Sequence, residues 1–231
     1  MKQGFFLSGE EDEKIYNNSS IIKSISYDQD ELLQWIKTLY LPNGIDYDPT
    51  YSKGNFYKHI EEPKFKSDLS PQTNDMFKCN CNCLPIKDES FNSIVFDPPF
   101  VGACPATEDT RHWGIIKKRF GFYKTIEDLW YMYSKAMKEF YRVLKDDGIL
   151  VVKCMDTILS SKQYLSHNFL INEGYLIGFY PIDLFILLAR NKLIGWTNKT
   201  GQKHCRKFHS YFVIFKKTEC KINYLIERKK P

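Results

Sequence analysis

No run of apolar residues in this chain approaches the roughly 18 needed to cross a bilayer. The opening stretch Met1–Glu13 offers only Phe5-Phe6-Leu7 before it turns acidic, so neither a membrane span nor a signal peptide is expected. A second cysteine pair is missing too. Of the seven cysteines, Cys79, Cys81 and Cys83 form a C-x-C-x-C run, and Cys104, Cys154, Cys205 and Cys220 are scattered. Zinc sites use C-x2-4-C pairs that come in twos, so no metal is expected, and the alternation reads as small thiols on one face of a strand. Free thiols suit a reducing cytosol, and a cytoplasmic location is expected. Internal repeats and low-complexity segments are absent, and no second domain large enough to read a long target is expected. Strong charge bias is absent as well: 33 Lys and Arg against 28 Asp and Glu leave +5 and a pI near 8.7. That balance permits a polyanionic partner without requiring one.

What is present is an alternation of helix and strand signals. Residues 1–25 read as an irregular arm and 26–231 as one domain. Asp28–Tyr40 places Leu32, Leu33, Ile36, Leu39 and Tyr40 on one side behind an acidic start, which predicts a helix. Ile45–Asp48 is a short strand candidate. Lys53–Gln72, with Pro63 and Pro71, reads as loop. Met76–Cys83 and Ser93–Phe96 read as strands, Asp128–Leu144 as a helix, and Gly148–Met155 as a buried strand. Ser161–Glu173 is a predicted helix ended by Gly174. Tyr175–Leu188 begins a strand, and Phe208–Phe215 is a last one joined to it without a clear helix. This rhythm predicts an open α/β sheet with helices on both faces and a terminal antiparallel hairpin.

Asp97-Pro98-Pro99-Phe100 carries the chemistry. It closes an apolar strand, where open α/β sheets place their active sites. Two prolines fix the backbone and remove two donors, leaving the Asp97 carboxylate and the Pro98 carbonyl as acceptors. An aromatic amine is a poor nucleophile because its lone pair is delocalised into the ring. Two acceptors that hold its N–H bonds favour a tetrahedral nitrogen, and Phe100 offers a face for stacking. Positioning then supplies the catalysis.

The tetrapeptide resembles the D/N/S-P-P-Y/F/W motif of the amino-methyltransferases of DNA and RNA. Upstream, Cys83-Leu84-Pro85-Ile86-Lys87-Asp88-Glu89-Ser90-Phe91 is similar to that family's approach to the motif. Downstream, Phe140-Tyr141-Arg142-Val143-Leu144-Lys145 and Gly148-Ile149-Leu150-Val151-Val152 are similar to its "FYRVLKPGG-ILVV" pattern. The resemblance covers Met76–Met155, with weaker support to Phe215. It implies a Rossmann-like methyltransferase fold with a seven-stranded mixed sheet, S-adenosylmethionine as cofactor and a flipped-out base as substrate. It also implies 26–231 as a single catalytic domain. Asp at position 97 favours adenine N6 over cytosine N4.

The family's Gly-rich loop is missing. Ile45–Gly54 stands in its place, which makes Asp46, Asp48, Pro49, Ser52 and Gly54 cofactor-binding candidates, with an Asp pairing the cofactor's ammonium. Asn80 occupies the family's acidic position before Leu84, and both are further candidates. Two basic loops are the expected nucleic-acid contacts. One carries Arg111, Trp113, Lys117, Lys118 and Arg119. The other carries Trp196, Lys199, Lys203, Arg206 and Lys207. DNA is the first substrate expected and RNA its rival, with a protein partner that helps choose the target. A catalytically inactive nucleic-acid-binding subunit and a protein methyltransferase stand as the other readings.

Overall fold

The structure is a computed structural model that describes residues 21–100, 123, 125–190, 204–205, 207–220 and 222. Its backbone is one eight-stranded sheet. In chain order the strands are β1 (Ile25–Ser26), β2 (Tyr47–Asp48), β3 (Phe65–Asp68), β4 (Phe77–Lys78), β5 (Phe91–Phe96), β6 (Leu144–Cys154), β9 (Tyr180–Leu188) and β10 (His209–Lys216). Between β6 and β9 lie the small antiparallel ribbon of β7 (Thr157–Leu159) and β8 (Lys162–Tyr164) and a helix. Across the sheet the order is β1-β9-β10-β6-β5-β2-β3-β4. From β6 through β5, β2 and β3 to β4 neighbours run parallel, whereas β10 is antiparallel to both β6 and β9.

Helix α1 (Gln29–Tyr40) is started by Asp28, whose side chain accepts from Asp30 N (2.9 Å), and it carries Asp30 and Glu31 in its first turn. Its Leu32, Leu33 and Ile36 pack against Val95, Val151, Phe212 and Ile214 on one face of the sheet. Helix α2 (Ile126–Val143) opens on a capping box between Thr125 and Asp128. Leu129, Met132, Tyr133, Ala136, Met137, Phe140 and Val143, at three- and four-residue spacing, press on the opposite face against Ile94, Phe96, Leu150 and Val152. Helix α3 (Ser166–Ile177) joins that second layer. Alternation along β5 and β6 thus feeds both cores, which is why these strands read as continuous apolar runs.

Several expectations need correction. The sheet has eight strands, because Ile25–Ser26 pairs with β9. Lys53–Gln72 is not plain loop: it holds a 3-10 turn at Asn55–Tyr57 and β3, whose polar FKSD sequence hid a strand that buries only Ser67 and Asp68. The strand predicted over Met76–Cys83 ends at Lys78. Asn80 Oδ1 accepts from Asn82 N and Cys83 N donates to Asn80 O, so the three cysteines sit in a turn, buried, half-buried and exposed in sequence. Gly174 lies inside α3; the helix ends at Gly178, whose φ of +118° is open to glycine. The arm over residues 1–20 lies outside the described residues.

Candidate active site

An open parallel sheet binds ligands where its strand order reverses. Here the chain winds outward from β2 to β3 and β4 on one side, and to β5 and β6 on the other. The reversal lies between β2 and β5, and their carboxyl ends deliver Asp48-Pro49-Thr50 and Asp97-Pro98-Pro99 side by side.

Thr50 joins the two segments. Its hydroxyl accepts from Asp97 N (3.1 Å) and donates to Asp48 Oδ1 (3.0 Å), and Thr50 N donates to the same oxygen (2.6 Å). The other Asp48 oxygen accepts from Tyr57 Oη (2.6 Å). On the far side of the tetrapeptide, Tyr133 of α2 donates its hydroxyl to Pro99 O (2.6 Å). The proline corner is therefore pinned on both sides, to the β2 loop and to the buried face of α2.

A cleft opens beside it. Among the described residues its wall is made by Pro49 and Thr50 of the β2 loop, Asp68 and Leu69 after β3, Cys79 to Cys81 after β4, Phe96, Asp97 and Pro99, with Tyr123 and Met132 opposite. The space beside these residues, open solvent included, is about 480 Å3. Asp68 sits at the carboxyl end of β3, where its two oxygens accept from Ser52 N (2.9 Å) and Ser70 N (2.7 Å). Two acidic residues, Asp68 and Asp97, line this cleft, and no Lys or Arg lies among the described wall residues.

Burial pushes the Asp48 carboxyl up to about 7. Hydrogen bonds from Tyr57 and Thr50 oppose that shift, and the Asp97 charge adds to it. Burial also raises Asp97, against the pull of Lys153. For Asp48 the folded chain holds the proton more tightly than the unfolded chain, whose value is near 3.8. Its contribution is thus fully present below pH ~4 and is lost as pH rises through about 7. Asp48→Asn, which has no proton to lose, is expected to flatten the fall in urea midpoint between pH 5 and pH 8. A variant whose midpoint falls as steeply as the wild type would contradict this.

The predicted site residues divide by position. Asp97, Pro99, Pro49 and Asn80 reach the cleft wall. Pro98 is buried behind them and Phe100 is half-buried beside them. Asp48, Ser52 and Gly54 build the loop rather than the wall. Asp48 is 1% exposed, with its carboxylate committed to Thr50 and Tyr57. Ser52 offers its N–H to Asp68. Gly54 has φ +69° and a Cβ there would lie 2.3 Å from Tyr51 Oη, so it serves the turn. Asp46 is at the opposite end of the sheet, bound to Lys64 Nζ (2.8 Å) and to Asn92 N (2.7 Å) at the start of β5. The reason is position along the strand: Asp46 precedes β2 and Asp48 ends it. Leu84 is buried in the α2 core, with its N–H on Glu139. Lys207 is half-buried. Arg111, Trp113, Lys117, Lys118, Arg119, Trp196, Lys199, Lys203 and Arg206 lie outside the described residues.

Sequence reasoning missed Thr50, Asp68, Tyr133 and the wall residues Leu69, Tyr123 and Met132. The one available signal was an acidic residue ending a short segment between Pro63 and Pro71, and it required β3 to be recognised first. Among the described residues no cluster of three His, Cys, Asp or Glu is arranged to hold a metal ion.

No protein-family model and no curated protein matches the sequence. Solved structures do. The chain is similar to the [4+2]-cyclase SpnF at 13% identity and a TM-score of 0.52, over 82% of each chain, and that likeness shows the Rossmann-like fold. It is also similar to a SAM-dependent methyltransferase from Thermotoga maritima (18% identity, TM-score 0.48, 80% of this chain and 87% of that one). A third is the cytosine-N4-specific PvuII DNA methyltransferase (20% identity, TM-score 0.42, 59% of this chain). The chain spans 45% of the PvuII enzyme and 51% of a Thermus thermophilus protein described as a DNA modification methylase. A fold shared with a cyclase does not choose a reaction, so the site must.

Proposed function

We propose that this chain is an S-adenosylmethionine-dependent methyltransferase acting on an exocyclic amino group of a nucleic-acid base, with adenine N6 in DNA as its first substrate. The reading is carried by one observation: a proline-stiffened acceptor corner, Asp97 to Phe100, pinned beside a cleft with carboxylates and no cation on its described wall. Such a wall disfavours phosphate-bearing cofactors, which call for amide nests or basic side chains. It suits a ligand that presents a sulfonium, an ammonium and sugar hydroxyls.

The residues fit that ligand. Asp68 stands where ribose hydroxyls find an acceptor, and Leu69, Phe96, Tyr123 and Met132 offer apolar faces for an adenine ring. Asn80, whose Oδ1 is taken by Asn82 N, offers its amide nitrogen as a donor. Bound there, S-adenosylmethionine supplies an electrophilic methyl group. The chain's own part is to hold the nucleophile. The Asp97 carboxylate accepts one N–H of the target amine and the Pro98 carbonyl accepts the other. The nitrogen lone pair is released from the ring and turned toward the cleft, and Phe100 stacks on the base. A base inside a duplex does not reach this corner, so the substrate nucleotide is extruded or single-stranded. The basic segments around Arg111 to Arg119 and Trp196 to Lys207 supply phosphate contacts, and binding weakens with salt. Residues 26–231 then form one catalytic domain working in the cytoplasm. A partner protein lengthens the target.

Transfer of labelled methyl groups to duplex DNA, single-stranded DNA and RNA, followed by nucleoside analysis, tests the reading. N6-methyladenine in DNA is expected. Product in RNA alone, or N4-methylcytosine, overturns the substrate assignment, and no calorimetric binding at millimolar cofactor overturns the reading itself. Asp68→Ala is expected to weaken cofactor binding at least ~10-fold, the scale of a lost hydrogen bond to a charged group. Unchanged affinity would remove Asp68 from the site.

A further inference from the structure

Lys153 is a half-buried cation beside the acceptor corner. It lies near the end of β6, one residue past the Val152 that pairs with Phe96 of β5. Because Val95 and Val151 face the α1 layer, alternation sends Asp97 and Lys153 to that same face as cross-strand neighbours. The Lys153 ammonium is 3.8 Å from Asp97 Oδ1, and its side chain is only 11% exposed. It donates to Gln29 Oε1 (2.7 Å) at the start of α1. Three rings surround it: Phe56 of the 3-10 turn (5.1 Å to the centroid), Phe212 of β10 (5.5 Å) and Phe100 of the acceptor corner (5.6 Å). Four separate elements converge on one ammonium, which fixes its place far better than a surface lysine's.

We propose that Lys153 is a positioning residue of the site: its ammonium, held by Gln29 and three phenyl rings, keeps the Asp97 carboxylate charged and aimed so that it accepts from the amine being methylated. This rests on the methyltransferase reading. A protonated carboxyl loses acceptor capacity and gains an O–H that competes with the amine's own donors, so the charge state of Asp97 decides whether the corner works. The surroundings oppose ionisation. Asp97 is raised by burial and opposed by Lys153, and the neighbouring buried groups that sense its charge are Asp48 at the end of β2, Tyr57 of the 3-10 turn and Tyr133 of α2. Lys153 is the described cation that offsets them. The contact with Phe100 adds a geometric link, since the ring assigned to base stacking rests on the same ammonium.

The test titrates Asp97 in the protein alone, by the NMR shift of its carboxyl carbon, assigned through its loss in Asp97→Asn. Lys153→Met is expected to move the midpoint up by about one pH unit or more, the lower end of what an opposite charge at this range supplies. Lys153→Arg is expected to restore it. Lys153→Gln keeps a partner for Gln29 and gives the same answer should the Met variant fail to fold. In methyl transfer, the acid limb of the rate profile moves up by the same amount in kcat rather than KM, and the effect vanishes in an Asp97→Asn background. An Asp97 midpoint unchanged in the folded variants overturns the proposal. Absence of methyl transfer by the wild type to every polymer sinks the parent reading and leaves the titration readable.

Discussion

Asp97→Ala is expected to reduce methyl transfer by about 10²- to 10³-fold in kcat, the usual cost of removing one preorganised group that acts in the transition state. Cofactor affinity should stay within a few-fold of the wild type. The difference follows from how the residue is held. What the loop needs from position 97 is its backbone N–H, which donates to Thr50 Oγ1 and survives the substitution. What the amine needs is the carboxylate, which does not survive. The opposite end of the corner stays tied through Tyr133 and Pro99. Asp97→Asn keeps one carbonyl acceptor and should fall between the two. Single-turnover rates and calorimetry on the same preparations separate these effects. Near-normal turnover in Asp97→Ala would contradict the role given to the carboxylate, and joint loss of binding and turnover would show a merely structural one.

The largest stability effect is expected at Gly174, far from the cleft. In most helix interiors, replacing glycine by alanine gains about 1 kcal/mol. Here an added Cβ would lie 2.5 Å from Cε1 and 3.0 Å from Cδ1 of Phe215, and 3.2 Å from the Met137 methyl. Phe215 is fully buried between the helix layer and the sheet, so its ring has no open space to enter. Gly174→Ala should therefore lose its propensity gain, and Gly174→Val, stiffer at χ1, should cost about 3 kcal/mol through overpacking. For a domain of this size that is a fall in Tm of roughly 6–12 °C. Leu176→Ala, at an exposed position of the same helix, serves as the control. A Gly174→Ala variant more stable than the wild type would show that α3 shifts freely over β10.

The same glycine shows where local reading ends. From sequence, Gly174 looks like a helix stop, because glycine after an apolar-periodic stretch often is. The true stop, Gly178, requires its positive φ, and Gly174 is required by a ring 41 residues further along the chain. Lys53–Gln72 failed for a related reason. A two- to four-residue strand whose buried side chains are Ser67 and Asp68 carries no apolar alternation, and only its neighbours in the sheet make it a strand.

Local chemistry was enough for several other elements. The apolar runs of β5 and β6, the capped helices α1 and α2 and the final antiparallel pair follow from periodicity, caps and strand length, because those signals act over a few residues. The acceptor corner follows in the same way, since two consecutive prolines after an apolar strand restrict the backbone whatever surrounds them. Contact between distant segments decided the remainder: that Thr50 bridges Asp48 and Asp97, that Asp68 rather than Asp46 faces the cleft, and that Lys153 stands beside the carboxylate. These depend on strand order and on which face each residue takes, and a shift of one residue reverses the face. Asp97 to Phe100 were therefore legible one at a time, whereas Asp68, Lys153 and the arrangement of all of them as a candidate site come from the sheet that sets their strands side by side.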